Sequence, residues 1–124
     1  MNIDLSATWQ EASTVTLRGH AAVVIDVLRA TSTIVTAIQS GAREVIPVET
    51  PEDARLAAQE PRADRVVLGG ERGGLKIEGF DFGNSPYEYT PRSVGGRTVI
   101  MTTTNGTRAF AAARGANITV AAAL

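Results

Sequence analysis

The stretch His20-Ala-Ala-Val-Val-Ile-Asp-Val-Leu-Arg-Ala-Thr-Ser-Thr33 decides the fold, because a short apolar run passes directly into acidic, basic and hydroxyl side chains. Ala21 to Ile25 is typical of a buried strand, and the hydroxyls of Thr31 to Thr33 before a periodic apolar segment predict a helix start. Such a strand-to-helix loop lies at the carboxyl edge of a sheet, where open α/β folds bind ligands. The helix N-terminus and Arg29 favour an anion, and Asp26 would repel that anion unless a divalent cation lies between them.

Composition limits the classes of protein that fit. The 124 residues are 44% hydrophobic, enough for one core and one domain. Because 12 basic and 13 acidic side chains leave a net charge of -1, nucleic acid is disfavoured as a partner. The absence of cysteine excludes a thiol nucleophile and a cysteine-ligated zinc site. With neither a signal peptide nor an apolar run of about 20 residues, a cytoplasmic protein without a membrane partner is expected.

The remaining apolar runs predict alternating strands and helices. Strands are expected at 44–48, 66–68, 98–102 and 118–122, and helices at 51–60 and 105–113. This order predicts an α/β fold with a mostly parallel sheet and helices on both faces, an α/β/α sandwich. Pro47 indicates an edge strand or the end of a strand, and Phe80 and Phe82 are expected in the core. The final strand should be central and buried, yet no covering helix follows it. We therefore interpret residues 1–124 as the truncated N-terminal half of a longer chain.

Familiar phosphate-binding motifs are incomplete. Gly69 to Lys76 looks like a P-loop, but Leu75 interrupts the Gly-Lys pair and no Ser or Thr follows. No G-x-G-x-x-G follows a strand, so a dinucleotide site has no support. His20 is the single histidine, which excludes a two-histidine phosphatase and a Ser-His-Asp triad built on any other histidine. A role in a turn or at the entry to the strand is expected for His20.

Loops after the predicted strands are expected to converge on one edge of the sheet. Asp26, Glu71 and Asp81 are candidate oxygen ligands for a cation, and magnesium fits best because it needs only one or two carboxylates besides substrate oxygens and water. Arg72, Asn84 and helix-start amides are candidate oxyanion donors. Such a site would polarise a phosphoryl group for in-line attack by water.

Each of these features also has a plainer interpretation. Asp26 can cap a turn or pair with Arg29, Glu71 can form a surface pair with Arg72, and the hydroxyls of Thr31 to Thr33 can act as helix caps. Thr102-Thr-Thr-Asn-Gly-Thr107 places hydroxyls where a buried parallel strand is normally apolar, which favours a ligand-facing role.

Four blocks in order resemble the 2-phosphosulfolactate phosphatase family of coenzyme M biosynthesis, and the resemblance extends from Val23 onward. The blocks are Val24-Ile-Asp-Val-Leu-Arg-Ala-Thr-Ser-Thr33, Leu68-Gly-Gly-Glu-Arg-Gly-Gly74, Glu78-Gly-Phe-Asp-Phe-Gly-Asn-Ser-Pro86 and Thr102-Thr-Thr-Asn-Gly-Thr107. The resemblance implies a magnesium-dependent phosphatase that converts 2-phospho-3-sulfolactate to sulfolactate and phosphate. Another small phosphorylated acid stays open as the substrate.

The leading hypothesis gives each candidate residue a role. Asp26 and Glu71 bind magnesium, Arg29 assists catalysis, and Asp81 is the candidate acid or base. Substrate binding is assigned to Arg29, Thr31, Ser32, Thr33, Arg72, Asn84, Ser85, Thr103, Thr104, Asn105, Gly106 and Thr107. Phosphoryl transfer to Asp26 itself stays open. So does a non-catalytic anion-binding module, or an incomplete half-site that needs a partner chain, and so does a homo-oligomer.

Overall fold

Strands and helices alternate along the chain, as predicted. The computed structural model describes residues 3–59 and 65–123. The strands are β1 (Ala21–Ile25), β2 (Glu44–Pro47), β3 (Val66–Arg72), β4 (Leu75–Lys76), β5 (Thr98–Thr102) and β6 (Ile118–Ala122). The helices are α1 (Trp9–Ala12), α2 (Ala30–Gln39), α3 (Pro51–Ala57), α4 (Pro91–Val94) and α5 (Gly106–Ala112). In these ranges, no helix has the length and apolar character needed to cross a bilayer.

The strands form a four-stranded sheet of order β2-β5-β3-β4 and a separate pair, β1-β6. β2 and β3 run parallel to β5, with Val45 opposite Val99, whereas β4 is antiparallel to β3. β1 and β6 are parallel, with Val23 opposite Val120. The α/β class and the edge position of β2 are confirmed. The central, buried position predicted for the last strand is wrong, because Ile118 and Val120 of β6 are exposed.

β5 separates two apolar clusters, since successive side chains of a strand point to opposite faces. Val99 and Met101 belong to a cluster with residues of α2 and α4. Ile100, which points the other way, lies in a second cluster with Ala54 of α3 and Phe80. Helices therefore cover both faces of the four-stranded sheet, as predicted, and Phe80 is a core residue.

Helix α3 begins at its predicted residue because the local sequence forms a capping box. Oγ1 of Thr50 accepts a hydrogen bond from N of Asp53 at 3.0 Å, and Oδ2 of Asp53 accepts one from N of Thr50 at 3.2 Å. Pro51 occupies the first helical position, where its missing N–H costs nothing. The helix ends at Ala57; the predicted last residue, Glu60, lies outside the described ranges.

The glycine-rich segment is mostly strand, and the predicted end of that strand at Leu68 is wrong. β3 continues through Gly69 and Gly70 before a tight turn leads into β4. A Cβ atom on Gly69 would clash with the hydroxyl of Tyr89, and one on Gly70 would clash with the backbone of Thr102. The two glycines therefore allow β3 to lie close to Tyr89 and β5.

Replacing Gly69 by Ala is expected to lower the free energy of unfolding by about 1–3 kcal/mol, because β3 must move away from Tyr89. Urea denaturation followed by circular dichroism measures the change. Gly115→Ala is the matched control, because its added Cβ would meet only Cβ of Leu17 at 3.9 Å. Equal stability of the two variants would contradict this account of Gly69.

Candidate functional site

A cavity of about 250 Å³ lies where β1, β3 and β5 end. Asp26 and Arg29, which follow β1, line it together with Glu71 near the end of β3. Thr104, from the loop after β5, and Asn84 complete the polar part of the wall. Loops that are far apart in sequence thus meet at the carboxyl ends of three strands.

Glu71 makes the most hydrogen bonds of the side chains in this cavity, although it is only 5% exposed. Its Oε1 accepts from the backbone N of Thr104 at 2.6 Å. Its Oε2 accepts from the backbone N of Gly74 at 2.8 Å and from Oγ1 of Thr104 at 3.0 Å. The carboxylate therefore ties the β3–β4 turn to the loop between β5 and α5.

The surroundings of Glu71 hold it in the charged form. Burial on its own raises the pKa of Glu71, but hydrogen bonds from the backbone of Thr104 and Gly74, the Thr104 hydroxyl and the charge of Arg29 together lower the pKa below its ordinary value. A carboxylate offers about four acceptor positions. Three of them are used within the protein, which leaves little room for a further ligand.

The side chains of Asp26 and Arg29 make fewer hydrogen bonds within the described chain than the side chain of Glu71 does. The backbone N of Arg29 donates to Oδ1 of Asp26 at 3.3 Å, whereas no donor in the described ranges reaches Oδ2. The guanidinium of Arg29 lies beside Gly74 and has no acceptor or ion-pair partner among the residues that the structure describes. The cavity therefore contains a carboxylate oxygen and a guanidinium that are both available to a ligand.

The hydroxyls of Thr31 to Thr33 hold the surrounding loops in place. Their predicted role as helix caps is wrong, because the N-cap residue of α2 is Arg29 and it makes no side-chain capping bond. None of the three residues lines the cavity. Oγ1 of Thr31 accepts from N of Asp26 at 2.8 Å, Ser32 donates to O of Val27 at 2.7 Å, and Thr33 donates to O of Asn84 at 3.2 Å.

Asn84 carries a buried oxygen at the cavity. The residue is 7% exposed, lines the cavity, and its Oδ1 accepts no hydrogen bond from residues 3–59 or 65–123. Its loop is fixed because the hydroxyl of Tyr89 donates to O of Gly83 at 2.7 Å and Glu88 accepts from N of Gly83 at 3.0 Å. Leaving a buried acceptor unpaired costs about 1–3 kcal/mol. An ion or water bound in the cavity would supply the partner that this oxygen lacks.

Other predicted site residues lie outside this cavity. The guanidinium of Arg72 donates to two backbone oxygens and to Oγ1 of Thr102. Oδ2 of Asp81 accepts from the backbone N of Leu68 at 2.8 Å. Neither they nor Ser85 line the cavity, and the roles assigned to them stay predictions.

The loop after β5 is organised by two threonines. Thr103 lines the cavity, and its backbone N donates to Oγ1 of Thr107 at 3.0 Å, while N of Thr107 donates to Oγ1 of Thr103 at 3.1 Å. Asn105 lines both this cavity and a neighbouring cleft of about 410 Å³, and Gly106 lines only the cleft. The backbone amides of Thr103 and Thr104 therefore already donate hydrogen bonds within the protein, so they are not free to donate to an anion.

The oxygen atoms of the cavity are compatible with a hard cation. The described part of the chain has no group of three or more His, Asp or Glu side chains suited to a metal. Magnesium needs fewer protein ligands than that, because substrate oxygens and water complete its shell. Oδ2 of Asp26 and Oδ1 of Asn84 are the unpartnered oxygens that fit this requirement.

The structure is that of an α/β protein with a cavity lined by charged residues at the carboxyl ends of its strands. A family model for 2-phosphosulpholactate phosphatase matches residues 7–124. The chain belongs to this family.

Several relatives carry the name "Probable 2-phosphosulfolactate phosphatase". The Clostridium acetobutylicum protein is 54% identical over 110 residues, which is 89% of this chain and 46% of the relative. The Clostridium novyi protein is 50% identical over 123 residues, or 98% of this chain and 52% of the relative. A Synechococcus protein is 53% identical over 108 residues, or 87% of this chain and 44% of the relative. The chain thus spans about half the length of these relatives.

We expect stability to fall in acid through Glu71. Because the pKa of Glu71 is lower in the folded state, its contribution is complete above the ordinary glutamate value of 4.5 and is lost as the pH falls through the folded value. In Glu71→Gln, the NH2 group of the new amide would face hydrogen-bond donors. The carboxylate of the unmodified protein accepts hydrogen bonds from these donors. The free energy of unfolding should therefore drop by about 1–3 kcal/mol at pH 7 and depend less on pH below 4.5.

Urea denaturation at a series of pH values tests this expectation. Glu52→Gln is the control, because the side chain of Glu52 is 78% exposed and its contact with Arg55 is a surface ion pair. Parallel curves of stability against pH for the unmodified protein and Glu71→Gln would contradict the role of Glu71.

Proposed function

We propose that the protein takes part in hydrolysis of a phosphate monoester, with 2-phosphosulfolactate or a similar small phosphorylated acid as substrate and magnesium as the cation. The names of the relatives supply the reaction class. The observation that carries the proposal is that Arg29, Asp26 and Asn84 line the same cavity, and that the guanidinium of Arg29, Oδ2 of Asp26 and Oδ1 of Asn84 have no hydrogen-bond partner among the described residues. A cation and oxygen ligands side by side suit a phosphate and its metal ion.

The charges of the cavity support the need for a divalent cation. Asp26 and Glu71 bring two carboxylates, against the single guanidinium of Arg29 among the described lining residues. A phosphate dianion would meet net negative charge there. Asp26 and Asn84 would hold a magnesium ion, whose charge would offset this repulsion and polarise the phosphoryl oxygens.

Arg29 and Glu71 then have different roles in the proposed reaction. Arg29 binds phosphoryl oxygens, because a guanidinium makes paired, charge-assisted hydrogen bonds to phosphate. Glu71 acts as a positioning residue that holds the Gly74 turn and Thr104 around the substrate. In the reaction, a bond forms between a water oxygen and phosphorus while the bond to the ester oxygen breaks. The attacking water loses one proton and the ester oxygen takes up one, so the products are the alcohol and inorganic phosphate.

Arg29→Met is expected to lower the rate of phosphate release by about 10²–10³-fold, because a charge that stabilises the transition state is lost. The assay measures inorganic phosphate released from 2-phospho-3-sulfolactate with magnesium and with a chelator. Arg43→Met is the matched control, because Arg43 is exposed and precedes β2, at the opposite end of the strands.

In Asp26→Asn, magnesium should no longer stimulate the rate of phosphate release. The asparagine side chain keeps an oxygen that can accept the hydrogen bond from N of Arg29.

Equal rates for Arg29→Met and Arg43→Met would contradict the proposed site. A stable phosphoryl group on Asp26, trapped and located by mass spectrometry, would replace metal binding by a covalent role for this residue. The second candidate function is an anion-binding module without turnover, in which Arg29 binds the anion. Binding of sulfolactate by calorimetry without phosphate release at any magnesium concentration would support it.

A further inference from the structure

Alternate residues of β1 and β6 form an exposed apolar surface, here named the β1–β6 face. Val23 and Ile25 of β1 are 59% and 64% exposed, and Ile118 and Val120 of β6 are 62% and 47% exposed. They share one face because side chains alternate along a strand and Val23 lies opposite Val120. Val24, on the other face, is 8% exposed and belongs to the core.

This exposure is unusual for parallel strands, which are normally covered on both faces. Contiguous apolar side chains at a surface mark interaction sites more often than isolated ones do. Within the described ranges, β1 and β6 pair only with each other. Each strand therefore also has one edge with free backbone groups, to which a further strand can bind.

The lengths of the relatives indicate what can cover this face. The aligned region is 46% of the Clostridium acetobutylicum protein and 52% of the Clostridium novyi protein. Each relative therefore has about as much chain again outside the alignment. A chain of that size needs an apolar surface against which to pack if the two halves form one domain.

We propose that the β1–β6 face binds the half of a family chain that lies outside the aligned region. The bound half covers the four aliphatic side chains and pairs with a free edge of β1 or β6. This inference rests on the family membership and on the exposure of the face, and it is independent of the proposed reaction.

The position of the face connects it with the cavity. β1 continues into Val27 and Leu28, which are 41% and 90% exposed, and Leu28 lines the cavity beside Arg29. A polypeptide bound on the β1–β6 face and extending along this loop would therefore bury Leu28. It would thereby cover one of the residues that line the cavity.

Co-expression with the unaligned half of the Clostridium acetobutylicum protein tests the proposal. The affinity-tagged 124-residue chain should retain that half on purification, and hydrogen exchange should slow in β1 and β6. Val23→Lys combined with Ile118→Lys should reduce the retained half by about tenfold or more, because buried apolar anchors dominate interfaces. Leu56→Lys and Leu75→Lys are matched controls, since both residues are exposed leucines on other elements, α3 and β4.

Circular dichroism establishes whether each variant is folded, and the exchange measurement on the unmodified chain tests the face without any substitution. Failure to retain the unaligned half overturns the proposal, as does equal loss in the control variants. Slowed exchange in β1 and β6 that depends only on the concentration of the chain itself would assign the face to a second copy instead. Because every readout is binding, a missing phosphatase activity would refute the proposed reaction and leave this result unaffected.

Discussion

The cavity depends on the hydrogen bonds that the carboxylate of Glu71 accepts. A buried charge is unfavourable unless it is hydrogen-bonded, and here Gly74 and Thr104 supply the donors. Gly74 has a φ of +84°, which a residue without a Cβ adopts at little cost. In the turn that this angle forms, the N–H of Gly74 donates to Glu71. Two loops that are distant in sequence are thereby held against each other, and the cavity is the space between them and the loop after β1.

Hydrogen bonding separates the residues that hold the site together from those that can bind a ligand. The hydroxyls of Thr31 to Thr33, the amides of Thr103 and Thr104 and the guanidinium of Arg72 all have partners within the protein. Arg29 and the free oxygens of Asp26 and Asn84 do not have such partners in the described chain. Of these, only the oxygen of Asn84 is buried, and an unsatisfied buried acceptor is the group that gains most from a ligand, whereas Arg29 is exposed and Asp26 is half-buried.

The sequence predicted those features that depend on local patterns. The bounds of β1, β5 and β6 followed from their apolar runs, and α3 followed from its capping box. The convergence of the loops followed from a general rule about strand ends. The extent of β3 could not be predicted, because its glycines are explained by contacts with Tyr89 and Thr102, far away in sequence. For the same reason, sequence could not show that Arg72 and Asp81 bond to neighbouring backbone while Arg29 stays free.

Strand β1 connects the surface of the molecule with its cavity. Its outward side chains, Val23 and Ile25, belong to the exposed apolar face, while the loop at its carboxyl end carries Asp26 and Arg29. Covering the face would remove water from one side of that loop. Electrostatic interactions strengthen as water is excluded, so the attraction between Arg29 and a phosphate would increase with burial of the face. Under these two proposals, packing at the face and charge stabilisation in the cavity would be coupled through one strand and the loop that follows it.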